Sequence, residues 1–375
     1  MIKRALQPIL QDALFKGRVI VLYGPRRVGK TTLVRQIMAG LAASSRYVNC
    51  DLPDQRENLR PDLGALRVFL GANTLVVIDE AQRVPEIGLV LKIIADEFPQ
   101  HQVIATGSSS FELAGQVGEP LTGRATHFRL LPFSVNELVD AGQFLAAAPD
   151  FATRMIYGSY PNVIGVNETT AIDFLDNLRV DYLYKDVLAF ERLRKADLVQ
   201  NLLKLLALQI GSEVSLNELA TQLGVNRTTI ERYLNLLEQT FVIFRVRAFS
   251  RNPRKEIAKG FKVYFYDLGI RNAVISQFNG LNLRSDVGAL WENFCIVERI
   301  KARYAQKRGA EFYFWRTYAQ QEVDWVEINE GMPTAYEFKW GSGKSGGLRA
   351  FAEAYPDAPT QVITPENALG FIGAG

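Results

Sequence analysis

Residues 18–32, RVIVLYGPRRVGKTT, constrain this chain more than any other stretch. Arg18–Tyr23 is a short, β-branched apolar run of the kind that becomes a buried parallel strand. Directly after it, Gly24, Pro25, Arg26, Arg27, Val28, Gly29, Lys30, Thr31 and Thr32 fit the phosphate-loop pattern G-x-x-x-x-G-K-T residue for residue. The glycines let backbone N–H groups turn inward around phosphate, and the following helix directs its positive end at it. Lys30 is expected to reach the β- and γ-phosphates of ATP, and the Thr31 hydroxyl to ligate magnesium. Arg26 and Arg27 stay open between phosphate contact and solvent.

Such a loop needs a second strand ending in an acid, and 74–80, TLVVIDE, provides one. Asp79 is expected on the magnesium side, with Glu80 beside it to orient and deprotonate the attacking water. A further strand, 102–108 (QVIATGS), ends in Thr106 and Ser108 and is expected between the two motif strands. Those hydroxyls could sense the γ-phosphate or simply close a strand-to-loop turn. Arg124, in LTGR at 121–124, is a candidate to stabilise the transferring phosphate, in its own subunit or on a neighbour, and a surface arginine explains it equally. Strands near 18–23, 46–51, 75–80, 102–108 and 126–131, with helical segments between most of them, predict a parallel sheet whose carboxyl edge gathers the loop and both acids.

Length and composition restrict the rest. A chain of 375 residues, against roughly 100–200 per domain, predicts two or three domains. With only Cys50, Cys295, His101 and His127, a disulfide framework or an imidazole and thiolate metal site is excluded, so a metal would be held by oxygen. No apolar run approaches the roughly 20 residues of a bilayer span, and the charged amino terminus does not read as a signal peptide. A cytoplasmic protein with no membrane partner is expected. The net charge of +3, from 43 basic and 40 acidic residues, does not by itself announce a nucleic-acid binder.

Beyond Pro132 the strand pattern gives way to helical segments at 135–147, 151–157, 169–184 and 198–209, readable as a lid beside the nucleotide or as a spacer. The stretch 215–246 predicts helix, turn at Gly224, helix and strand, with Asn226 capping the second helix. Its exposed face would carry Arg227, Thr228, Thr229 and Arg232, which can meet DNA phosphates or base edges; protein docking is the competing use of such a module. The following run contains Arg245, Arg247, Arg251, Arg254, Lys255, Lys259 and Lys262 against one acid, Glu256. It reads as a charged wing that favours a nucleic-acid partner.

Near the end, Glu292 lies on a helical segment, Asp324 on EVDWVEI at 322–328, and Glu337 with Lys339 on AYEFKW at 335–340. Alternation puts Glu337 and Lys339 on one strand face. Two carboxylates can hold a metal ion while a lysine activates water, the requirement for phosphodiester hydrolysis. This Asp…Glu-x-Lys arrangement resembles the PD-(D/E)XK nuclease superfamily, whose fold can persist without cleavage.

The whole chain resembles a prokaryotic family of AAA-type P-loop ATPases with a carboxy-terminal nuclease-like domain. The carriers are GPRRVGKTT (24–32), LVVIDEAQ (75–82), ATGSSS (105–110), LTGR, GSYP (158–161), RKEI with KVYFYDLG (254–269), LWENF (290–294), EVDW and YEFKW. The resemblance implies an α/β architecture: an ATPase core (1–134), a helical lid (135–205), a winged helix-turn-helix (206–262) and a restriction-endonuclease-like domain (263–375). It also implies an ATP-driven switch or motor acting near DNA. A homo-oligomeric ring, an ATP-gated nuclease, and a switch that docks protein partners all stay open.

Overall fold

Val19–Tyr23 folds as β1 with every side chain buried, as its unbroken apolar run requires. The structure is a computed structural model that describes residues 2–108, 121–145, 147–180, 196–249, 260–305, 311–317, 319–341 and 346–373. Two units divide the chain, one formed mainly by residues 3–131 and the other by 132–238 with 242–375.

In the first unit, β1 joins β2 (Ser45–Asn49), β3 (Leu75–Asp79), β4 (Gln102–Gly107) and β5 (Ala125–Arg129) in a parallel sheet ordered β2-β3-β4-β1-β5. The strand carrying Thr106 therefore does lie between the two motif strands. β1, β3 and β4 are buried throughout, whereas the outer strands β2 and β5 are only partly covered. Parallel register brings the loops after β1, β3 and β4 to one carboxyl edge.

The second unit combines helices with a seven-stranded sheet. Its strands are β6 (Glu213–Val214), β7 (Ile243–Ala248), β8 (Phe261–Phe265), β9 (Glu311–Arg316), β10 (Glu322–Asn329), β11 (Met332–Phe338) and β12 (Thr360–Ile363). Their order is β12-β11-β10-β9-β7-β8-β6. The helices Leu216–Leu223 and Arg227–Gln239 meet at Gly224, whose φ of 63° suits a glycine at a helix end. Asn226 Oδ1 accepts the Thr229 N–H at 2.7 Å, the expected cap. β6 precedes these helices and β7 and β8 follow them, with β8 pairing antiparallel to both β6 and β7.

The sequence boundary at 262/263 falls inside β8. The strands beside the helix-turn-helix share one sheet with the carboxy-terminal strands, because β7 pairs parallel with β9 through Arg247–Tyr313 and Ala248–Phe314. Pairing covers an edge of β7 that would otherwise be open. The described helices of the segments read as a lid belong to this unit. Phe151, on the helix Ala148–Tyr157, meets Trp291 and Phe294 edge-on at 5.3 and 5.7 Å between ring centres.

Three of the quoted motifs turn out to hold this unit together. Asp267 of KVYFYDLG accepts from the Ser159 N–H of GSYP at 2.7 Å and from the Ile270 N–H at 3.2 Å. Asn293 of LWENF bonds both the N–H and the carbonyl of Phe265, at 2.8 and 2.9 Å, as a neighbouring strand would. The last part runs helix (Val287–Ala305), β9, β10, β11, helix (Gly346–Ala354), β12, with β9 to β11 antiparallel and β12 parallel to β11. Trp315, Val323, Val326, Ala335, Leu348 and Phe351 fill the space between that sheet and the second helix.

Candidate functional site

The phosphate loop turns sharply at its first glycine. Gly24 has φ 154°, and a Cβ there would lie 2.0 Å from the Leu130 carbonyl oxygen, so only glycine fits against the segment leaving β5. Gly29, at φ 96°, hands the chain into the helix Lys30–Ala39. Lys30 is buried, and its Nζ donates to the Gly24 and Pro25 carbonyls at 2.8 and 2.9 Å. Burial drives its ammonium down to about 8, although Glu80 and Asp79 pull in the opposite direction.

Asp79 ends β3 and is the hub of the site. Thr31 Oγ1 donates to its Oδ2 at 2.7 Å, the Tyr47 hydroxyl donates to the same oxygen, and Thr106 Oγ1 donates to Oδ1. Tyr47 comes from β2 and has the Arg35 guanidinium 4.5 Å from its ring centre. Its phenol is pushed up to about 12 by burial first and then by its bond to Asp79. Glu80 adopts a left-handed backbone, φ 53°, directly after the strand. Its Oε2 accepts from Gln82 Nε2 at 2.6 Å, and the same amide nitrogen lies 3.3 Å from Ser108 Oγ. Among the described residues Gln82 Oε1 is buried with no hydrogen-bond partner.

The structure thus brings Lys30, Thr31, Asp79, Glu80, Thr106 and Ser108 to one edge. Thr106 is spent on Asp79, and Ser108 holds the later position at the strand end. Arg124 is elsewhere. Its carbonyl accepts from Val19 N–H at 2.9 Å at the start of β1, so it sits at the amino edge, about 17 Å from the loop for five strand residues. Its Nε pairs with Asp96 at 2.5 Å. An action of Arg124 on its own subunit's phosphate is not what this placement allows. Tyr47 and Gln82 were missed in the sequence; Gln82 lies inside the quoted LVVIDEAQ, whereas nothing marks Tyr47.

In the second unit, Arg227, Thr228 and Arg232 are exposed on the second helix of the helix-turn-helix. Arg251, Arg254 and Lys255 lie outside the described residues. The basic run divides unexpectedly. Arg247 is exposed, but Lys262 is buried at 1% exposure and does not belong to a solvated wing.

Lys262 instead enters the carboxylate cluster at the end of the chain. Its Nζ lies 2.5 Å from Glu322 Oε1 and 3.2 Å from Glu292 Oε1, and the Tyr264 hydroxyl donates to the same Glu292 oxygen at 2.5 Å. Asp324 Oδ2 accepts the Phe338 N–H at 2.9 Å, and Lys339 Nζ pairs with Glu337 Oε1 at 2.8 Å. Glu292, Asp324, Glu337 and Lys339 do therefore share one neighbourhood, as β10–β11 pairing next to the helix dictates. Burial and then Glu292 push Asp324 up to about 8, with Lys262 opposing. Burial acts to lower the Lys262 ammonium, yet Glu292, Asp324 and Glu322 leave it raised. Among the described residues no group of three or more Asp, Glu, His or Cys side chains is arranged to hold a metal ion.

Comparison with known proteins matches three successive stretches of the chain. A family model described as an AAA domain matches residues 16–139. Two domains of unknown function, DUF8612 and DUF4143, match residues 148–282 and 287–370. The uncharacterized proteins Mb2031c of Mycobacterium bovis and Rv2008c of Mycobacterium tuberculosis are each 30% identical over 335 residues, covering 88% of this chain and 72% of theirs. The chain belongs to the family of these mycobacterial proteins. Within that family's chain, the first unit is an AAA-type P-loop ATPase domain. The Walker-type ATPase PABY2304 of Pyrococcus abyssi overlaps with 14% identity and a TM-score of 0.47, covering 73% of this chain and 96% of that one. Among the described residues, no helix of this family member is long and apolar enough to cross a membrane.

Proposed function

We propose that this chain is a magnesium-dependent ATP hydrolase that acts on DNA, its hydrolysis cycle driving conformational change or translocation. The observation that carries the hydrolase reading is the convergence on Asp79 of the Thr31, Tyr47 and Thr106 hydroxyls beside a buried Lys30.

The donor set suits magnesium, since Thr31 and Asp79 are hard oxygen ligands already 2.7 Å apart. Magnesium would supply neutralisation of phosphate charge there. The remaining chemistry belongs to the chain. Lys30 exchanges two carbonyl partners for phosphate oxygens, and its charged form is favoured again when the phosphates arrive. Glu80 takes a proton from water once its carboxylate is free of Gln82. Ser108 stands next to that amide and can register the terminal phosphate. Arg124, at the far sheet edge, would have to serve the nucleotide of a neighbouring copy, which is the basis for a homo-oligomeric ring.

For DNA the support is the exposed Arg227, Thr228 and Arg232 on the second helix of a helix-turn-helix preceded by the short strand β6 and followed by β7 and β8, the order of a winged helix. The α-β-β-β-α-β order of the last part, with Asp324 and Glu337 on paired strands, supports a nuclease-like fold. Anisotropy of a labelled duplex, measured from roughly 50 to 200 mM salt, tests the DNA reading. Affinity should fall steeply as salt rises. Absence of binding would overturn that reading and leave a switch that docks protein partners.

A further inference from the structure

A nuclease-like cluster of carboxylates is ordinarily a place for a divalent ion. We propose that in this chain the cluster formed by Glu292, Glu322, Asp324 and Glu337 has the protein's own Lys262 as its resident cation and binds no divalent metal. The proposal stands whether or not the first unit hydrolyses ATP.

The position of Lys262 is built, not incidental. Its side chain is 1% exposed, so its charge was taken out of water on folding and must be compensated locally. Two carboxylates do so, Glu322 at 2.5 Å and Glu292 at 3.2 Å. On another side the Phe314 ring centre lies 5.5 Å from Nζ, within the range of a cation–π contact. The lysine comes from β8, the glutamates from β10 and the long helix, and the ring from β9, so four separate elements converge on one ammonium.

One oxygen each of Glu292, Asp324 and Glu337 is already engaged. Glu292 Oε1 receives both Lys262 and the Tyr264 hydroxyl, Asp324 Oδ2 receives the Phe338 N–H, and Glu337 Oε1 receives Lys339. A magnesium or manganese ion needs near-octahedral oxygen coordination. To draw Glu292 and Glu322 into such a shell it would have to displace the buried Lys262 ammonium from both. Among the described residues Glu337 Oε2 is buried without a hydrogen-bond partner, which makes Glu337 the side chain whose replacement tests for a resident metal.

The consequence is mechanical as well as chemical. Lys262 ties the strand next to the helix-turn-helix to the helix and hairpin of the carboxy-terminal part, so the nuclease-like portion acts as a rigid extension of the helix-turn-helix, not as a cleaving domain.

Calorimetric titration of the full chain with Mn2+ decides this, comparing wild type, Glu337→Gln and Lys262→Met. Wild type and Glu337→Gln should bind Mn2+ identically, because any binding then belongs to the Asp79 edge. A binding event present in wild type and lost in Glu337→Gln overturns the proposal. Lys262→Met should gain one further Mn2+ per chain, and that gain should vanish when Glu292→Gln is added. A folded Lys262→Met protein with no gained site also overturns it. Should Lys262→Met fail to fold, the comparison of wild type with Glu337→Gln still decides.

Discussion

Replacing Lys30 with methionine should stabilise the nucleotide-free protein at neutral pH while abolishing its response to ATP. Lys30 is 6% exposed, and burial brings its ammonium from 10.5 to about 8. In the unfolded chain the group keeps its ordinary value, near 10.4. Between roughly pH 8 and 10.5 the unfolded chain holds the proton and the folded one does not, so folded stability rises with pH across that window. Below pH 8 both states carry it and the whole penalty, about 3 kcal/mol, is present. Methionine has a similar length and no proton, so it removes this penalty and loses two hydrogen bonds worth about 1 kcal/mol each. Urea unfolding of both proteins at several pH values isolates the effect, since every other titrating group is common to the two. The stability advantage of the variant over wild type should shrink by about 2.5 kcal/mol from pH 7 to pH 10. Saturating ATP at a hundred times its Kd should stabilise wild type by about 2.7 kcal/mol and the variant not at all. A difference independent of pH would refute the claim that desolvation of Lys30 dominates at the loop.

Gly24→Ala should destabilise the first unit by about 2 kcal/mol or more, read from the urea midpoint, because its Cβ would meet the Leu130 carbonyl oxygen at 2.0 Å. Tyr47→Phe removes one of three donors on a buried carboxylate and should cost about 1.5–3 kcal/mol in the same assay; unchanged stability would mean the bond is not made. Arg227→Ala and Arg232→Ala should each weaken duplex binding for all sequences alike and reduce the salt slope by about 1, whereas an unchanged slope would remove that helix face from the interface.

The nucleotide site was legible because its chemistry forces local order in the chain. A strand, a glycine loop and a helix had to occur in succession, and the acid had to end a strand, so residues 18–32 and 74–80 were enough. What escaped came from across the sheet. Tyr47 reaches Asp79 only because β2 pairs with β3, and no local pattern in SRYVN signals it. Arg124 looked functional from its motif, but strand direction, which one sequence fragment does not carry, put it at the opposite edge. Lys262 was misread for a related reason. It stands in a run of basic residues that composition assigns to solvent, and only the β8 pairing and the neighbouring helix turn it inward among acids. The boundary read at 262/263 cuts β8, and no local pattern announces the β7–β9 pairing that joins segments separated by more than sixty residues.

Phosphate release from ATP in the presence of magnesium, compared between wild type and Glu80→Gln with ATP binding measured alongside, tests the central claim most directly. Wild type should hydrolyse ATP, and Glu80→Gln should bind it with similar affinity while turning it over about 100-fold or more slowly. Undiminished release in Glu80→Gln, or none from wild type, would contradict the account.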